Sequence, residues 1–328
     1  MNQIERKSTW HQTRRSFLKN TVGAAVAAGA KLSAAPAAAP GHPWKFAICN
    51  ETFKDWPHDR AFAFAAECGY RGIEIAPFTF ANDVRDIRPA QRQEIRRLAK
   101  QNALEVIALH WLLAKTEGYH LTSPEAQVRR KTADYLGELA RFCAEIGGKL
   151  MVFGSPKQRS LLPGVTRAEA MKYAAETFCL TLPALEAADV TMVLEPLSPK
   201  ATTFMTTAAD GVELAGLVDS PRCRLHLDCL AMSTEPTPIP ELIRKHRALL
   251  THFHANDTNS QGPGFGTIDF VPVFQALRDI DYRGWVSVEI FDYTPGPERL
   301  ARESMSYMKK CVAQLEKQLG EAMSQLSD

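Results

Sequence analysis

The 328-residue chain lacks most of the compositional features that assign a class at sight. Its seven cysteines are scattered singly with no CxxC pair, which excludes a zinc ribbon and a disulfide scaffold. Cys68, Cys143 and Cys179 fall in helical apolar patterns and Cys49, Cys223 and Cys229 in or beside strand-like runs, so they read as small packing groups. Neither charge sign dominates: 39 Lys plus Arg face 37 Asp plus Glu, and several of the basic residues crowd the first twenty positions. No basic stripe is left to hold nucleic acid. No apolar run approaches the roughly 20 residues that a bilayer demands, so no stable membrane span is expected. No low-complexity linker divides the chain, which favours one large domain after the N-terminal segment.

That segment is distinctive. Thr13-Arg14-Arg15-Ser16-Phe17-Leu18-Lys19 precedes a mildly apolar run from Thr21 to Ala30 and a small-residue stretch to Ala39. The order of charged, apolar and small-residue regions is that of an export signal, and the paired arginines resemble the twin-arginine (Tat) kind. Residues 1–39 are therefore expected to be a removable signal and linker read by the Tat export machinery, with a cut after Ala37 and a periplasmic destination. A disordered basic tail is the alternative. Residues 40–328 then form the catalytic domain.

Strand-like runs recur from Trp44 to Cys49, Gly72 to Ala76, Leu104 to His110, Lys149 to Phe153, Thr191 to Glu195, Cys223 to Asp228, Leu250 to His254 and Trp285 to Ile290. Between them lie amphipathic segments with i, i+3, i+4 spacing: 59–68, 89–101, 124–146, 167–188, 207–218, 239–248 and 269–281, with a last helix from about 297 to 319. Ser123-Pro124, Thr166 and Asp269 read as helix starts, Gly69 and Gly147 as stops. Eight strand–helix alternations in about 290 residues predict an α/β fold of the single (β/α)8 barrel type, with an open doubly wound sheet as the rival.

Four side chains close four successive strand-like runs: Glu195 in VLEPL, Asp228 in LHLDCL, His254 in THFHAND and Glu289 in VSVEIF. Their intervals of 33, 26 and 35 residues match one strand-plus-helix unit each, which places all four at equivalent strand ends. In a closed barrel such ends converge, at the face where barrel enzymes carry their chemistry. Three carboxylates brought together out of water repel unless a cation compensates them. A divalent metal held by Glu195, Asp228, His254 and Glu289 resolves the conflict, and oxygen-rich ligation with one imidazole suits Mn²⁺ best, with Mg²⁺, Co²⁺ or Zn²⁺ also admissible. Strand alternation puts Val193, His226, His252 and Ser287 on the same inward face one layer below.

The LEPL, LHLD, HFHxxD-to-GPGFGTIDF and VEIF segments, in this order and spacing, together with Gly69-Tyr70-Arg71-Gly72-Ile73-Glu74, resemble the sugar isomerase and epimerase family of xylose-isomerase-like barrels, which includes ketose 3-epimerases. The resemblance implies that the metal binds two neighbouring oxygens of a ketose or aldose, acidifies a proton next to the carbonyl and holds the enediolate. It also implies that Glu195 and Glu289 serve as base and acid. Departures are clear: Ala201, Ala231 and Ser260 stand where ketose 3-epimerases usually carry Glu, His and Arg.

Four further residues are expected to meet substrate. His110 and Trp111 end the third strand-like run, Arg159 lies in the loop after the fourth, and Asp257 follows His254 by three residues, where it orients a ligand or caps the loop. The reading that results is a metal-dependent isomerase or epimerase of an unphosphorylated sugar. A keto-sugar lyase or hydratase, acting for instance on a 3-keto-glycoside, uses the same core and is the first alternative. A non-catalytic sugar or metal binder is the second, and a multi-zinc nuclease lacks the additional strand-end histidines and basic groove it would need. The sole partner expected beyond the export machinery is a small-molecule carbohydrate; an oligomer is compatible with the sequence.

Overall fold

The computed structural model describes residues 42–325; the proposed export signal lies outside them. Eight parallel strands close into a barrel in sequence order: β1 Lys45–Cys49, β2 Gly72–Ile75, β3 Glu105–Leu109, β4 Leu150–Phe153, β5 Thr191–Leu194, β6 Cys223–Asp228, β7 Leu250–Ala255 and β8 Trp285–Val288. Strand β8 pairs with β1 in parallel, Phe46 beside Val286 and Ala47 beside Ser287, so no sheet edge remains.

The outer ring consists of α1 His58–Cys68, α2 Pro89–Gln101, α3 Ala126–Ile146, α4 Arg167–Ala188, α5 Ala208–Val218, the short α6 Cys229–Met232, α7 Ile239–Lys245, α8 Phe270–Asp279 and α9 Pro297–Gln325. Local chemistry sets the helix ends. Thr166 opens α4 through a reciprocal capping box with Glu169, and Thr207 opens α5 in the same way with Asp210. Gly69 and Gly147 close α1 and α3 at φ 100° and 98°, a left-handed conformation that glycine adopts without steric cost. Most boundaries shift by a residue or two from the sequence reading, and three shift most plainly. Helix α3 starts at Ala126 rather than Pro124, α7 stops at Lys245 rather than Ala248, and α9 runs on to Gln325. The sequence pattern also missed α6, because its cap is Asp228, whose Oδ1 accepts the Ala231 N–H at 2.7 Å.

Two apolar cores result. The large one lies between the outward strand faces and the helices, with Phe62, Phe142, Phe178, Phe270 and Phe274 fully enclosed. The other fills the barrel floor, where Ala47, Ile107 and Ala108 pack with Leu150 and Trp285. Gly72 belongs to that floor: a Cβ there would stand 2.8 Å from Trp285, 2.9 Å from Ala47 and 3.0 Å from Ile107. Above the floor the interior turns polar, with Glu74, His226, His252, His254 and Ser287 all buried. An irregularity between Leu225 and His226 shifts the β6–β7 register so that His226 faces His252 and Asp228 faces His254. Such bulges re-aim side chains beside functional sites.

Candidate active site

Glu195 and Glu289 occupy the first positions beyond β5 and β8, whereas Asp228 is the last residue of β6 and His254 the last but one of β7. One donor atom each from Glu195, His226, Asp228 and His254 lies within 4.8 Å of all the others, and every one of these residues is buried. Glu289, expected as the fourth ligand, falls outside that set, in which His226 stands instead, and groups with Cys49, Glu51 and His110. Nδ1 of His254 lies 2.8 Å from Glu289 Oε2 and 3.7 Å from Glu195 Oε1. Asp228 is held from two directions, by the Ala231 N–H on Oδ1 and by Asn256 Nδ2 on Oδ2 at 2.5 Å.

The electrostatics follow from burial. Desolvation, with Glu195 and Glu289 nearby, pushes the Asp228 carboxyl up to about 8, and burial pushes Glu289 up to about 7 although His254 opposes the shift. Glu195 Oε1 and both ring nitrogens of His226 are buried without a hydrogen-bond partner. Burial and the neighbouring His254 and His252 hold His226 well below the ordinary imidazole value, so it is a neutral donor. Crowded carboxylates, an orphaned carboxylate oxygen and a neutral unpartnered imidazole together fit a divalent cation. The donor set is mostly oxygen with imidazole.

Two residues behind this cluster escaped the sequence reading. Glu74, on β2 and fully enclosed, accepts from His252 Nε2 at 2.5 Å and from His254 Nε2 at 3.2 Å. Burial opposes its ionisation, but His252 and His254 outweigh that and keep its carboxyl well below the usual range. With Nε2 held by Glu74, the His254 ring turns Nδ1 toward Glu195 and Glu289, the arrangement that carboxylates impose on metal-binding histidines. Glu51, just past β1, meets His110 Nε2 at 2.5 Å. Against the cost of burial, Cys49 and Glu51 hold His110 well above its ordinary value; the Cys49 thiol is itself pushed up to about 12 by burial, which leaves Glu51 as the charge that matters.

A cavity of about 620 Å³ opens above the cluster, with Glu195, Asp228 and Glu289 on its wall. Of the four expected substrate contacts, Trp111 lines it and the other three do not. His110 is buried beneath, engaged with Glu51. Arg159 is fully enclosed; Nη1 donates to the Glu195 carbonyl at 2.6 Å, and burial lowers its pKa to about 10. It therefore anchors the Glu195 backbone instead of meeting a ligand. Asp257 takes the loop-capping role, accepting the N–H groups of Thr258, Gly264 and Ile268 at 2.8, 3.1 and 3.0 Å. Trp111 has φ 53°, a costly conformation for a bulky residue, and its ring meets Phe78 and Phe291 edge-on at 6.0 Å. Ala201, Ala231 and Ser260, where the chain departs from the ketose 3-epimerase pattern, all face the cavity.

Fold and site together define a closed (β/α)8 barrel with a buried carboxylate–imidazole centre at the C-terminal mouth of its strands. The chain belongs to the xylose isomerase-like TIM-barrel family, whose model matches residues 62–311. A probable ketose 3-epimerase of Synechocystis is 26% identical over 272 residues, covering 76% of this chain and 89% of that protein. A 3-dehydro-D-guloside 4-epimerase of Escherichia coli is 26% identical over 263 residues, 76% of this chain and 93% of that one. Among solved structures, D-psicose 3-epimerase of Clostridium cellulolyticum superimposes with a TM-score of 0.71 at 21% identity, covering 83% of this chain and 99% of that chain. At that identity the superposition establishes the shared fold.

Proposed function

We propose that the protein is a metal-dependent epimerase or isomerase of an unphosphorylated sugar that works through an enediolate, with Glu195 and Glu289 moving the proton. The observation that carries this reading is the placement of both carboxylates near His254 Nδ1, at 3.7 and 2.8 Å, on the wall of one cavity. The relatives named above are sugar epimerases, which supports the reaction class. Among the described residues Lys200 is the sole basic side chain on the cavity wall, a poor provision for a phosphate group.

A divalent cation, Mn²⁺ by preference, held by Glu195, Asp228, His254 and Glu289 with His226 within reach, would polarise the substrate carbonyl and offset the charge of the enediolate. The remaining work belongs to the chain. Arg159 fixes the Glu195 backbone, and Gly154 leaves the space its carboxylate occupies: a Cβ there would stand 1.7 Å from Oε2. Glu74 orients His254, which positions Glu289. One glutamate removes the proton beside the carbonyl and the other returns it from the opposite side, which inverts or relocates the centre. The twin-arginine segment adds the proposal that this chemistry is performed in the periplasm.

The width of the cavity favours a second reading of the same core, in which loss of the proton expels a neighbouring substituent from a keto-glycoside. Metal-reconstituted protein incubated with ketoses and keto-glycosides in deuterated water separates the outcomes. Exchange with an epimeric product supports the first reading, exchange with a released substituent the second, and absence of exchange on every carbonyl sugar refutes both.

A further inference from the structure

The cavity is larger than one sugar ring requires. When each heavy atom of a hexose is given the roughly 30 Å³ of a liquid water, a generous allowance, the sugar fills at most about 360 Å³. The cavity offers about 620 Å³. Its three carboxylates belong to buried residues, which places the reacting ring at the closed end and leaves a comparable volume toward the rim.

Much of the wall is carbon-faced. Leu197, Leu230, Pro156, Ala201 and Ala231 contribute aliphatic surface to the wall, and Trp111 and Phe291 set two aromatic rings edge-on at 6.0 Å. Several hydroxyls on the wall bond their own chain, whereas the Ser260 hydroxyl and the Lys200 ammonium have no such partner among the described residues. Ser233 donates to the Leu230 carbonyl at 2.7 Å and Thr234 to the Ala231 carbonyl at 2.8 Å. Ser198 Oγ accepts the Lys200 N–H at 3.1 Å, and Thr258 Oγ1 pairs with Thr267 Oγ1 at 3.0 Å. A second sugar ring would set most of its hydroxyls against carbon, which is costly. An apolar group would meet surface able to bury it.

We propose that this outer volume is an aglycone subsite, and that the substrate is a glycoside of a keto-sugar bearing an apolar, preferably aromatic, aglycone. The proposal rests on the sugar-epimerase reading for the identity of the inner ring, while the subsite itself is defined by the wall.

Binding tests it without chemistry. The protein, supplemented with Mn²⁺, is titrated calorimetrically with methyl and phenyl glucopyranosides, which carry no reactive carbonyl. Phenyl is expected to bind at least about tenfold more tightly, the scale of a well-buried apolar group. The Ala201→Glu variant, which sets a charge on the wall, should reduce that advantage, read as the ratio of the two affinities within the variant, to under about twofold. A phenyl glycoside that binds no better than the methyl one, or fails to bind, overturns the subsite, as does full retention of the preference in Ala201→Glu. Exchange on free ketoses without an aryl preference leaves the epimerase reading standing and removes the subsite. An aryl preference without exchange on any carbonyl sugar does the reverse.

Discussion

The Gly154→Ala substitution would put a methyl group where the Glu195 carboxylate now stands. An ideal Cβ at position 154 lies 1.7 Å from Glu195 Oε2 and 2.9 Å from Cδ, so the oxygen must withdraw by roughly 1.7 Å to reach ordinary van der Waals separation. It is the far end of a side chain and can move; the backbone is not forced apart. Gly154 is not among the glycines with positive φ, so alanine introduces no backbone strain and stability should hold or rise slightly. A displacement of about 1 Å at a reacting group costs on the order of 100-fold in rate. Gly154→Ala should therefore lower solvent-proton exchange and kcat/KM at least about 100-fold with Tm unchanged. Gly164→Ala is the control, because φ is +79° there and nothing lies within 4 Å of its Cβ: stability should fall by about 1 kcal/mol and turnover should not change. Parent-level exchange in folded Gly154→Ala would refute the assignment of Glu195 as a proton-transfer group.

Asp228→Asn and His254→Ala should chiefly weaken metal binding, with activity partly restored by added Mn²⁺, whereas Glu195→Gln and Glu289→Gln should stay inactive at saturating metal; rescue of the Gln variants in a metal titration contradicts the two-glutamate scheme. Because Asp228 and Glu289 are pushed up to about 8 and 7, the folded metal-stripped protein holds protons that the unfolded chain has already released. Its stability should fall as pH rises from about 5 to about 8, by on the order of 1 to 2 kcal/mol per pH unit, and level off above about 8, and the slope should flatten when Mn²⁺ is added; denaturant titrations along that pH series measure it. Arg14/Arg15→Lys should retain the protein in the cytoplasm, and undiminished periplasmic delivery on cell fractionation would exclude the twin-arginine route.

The eight strands and the helices around them were legible in the sequence because periods of 2 and 3.6 are local properties, and the four strand-end residues stood out because one strand-plus-helix unit repeats with little variation in length. What the sequence could not convey is direction and company. Glu74 meets His252 across 178 residues and Glu51 meets His110 across 59, pairings that exist only because the barrel closes. Arg159, on a loop, looked free to reach a ligand, yet it turns inward because the Glu195 carbonyl 36 residues away offers it a buried acceptor. Asp257 was legible as a polar residue beside a ligand, and only the folded loop, with three N–H groups converging on it, decided between orienting and capping. Ala201, Ala231 and Ser260 were visible as departures from a pattern, but that all three face one cavity is a fact of tertiary structure. The reason is physical: periodicity determines which face of an element a side chain occupies, whereas its partners and the space before it are set by other strands and loops, whose approach no local pattern encodes.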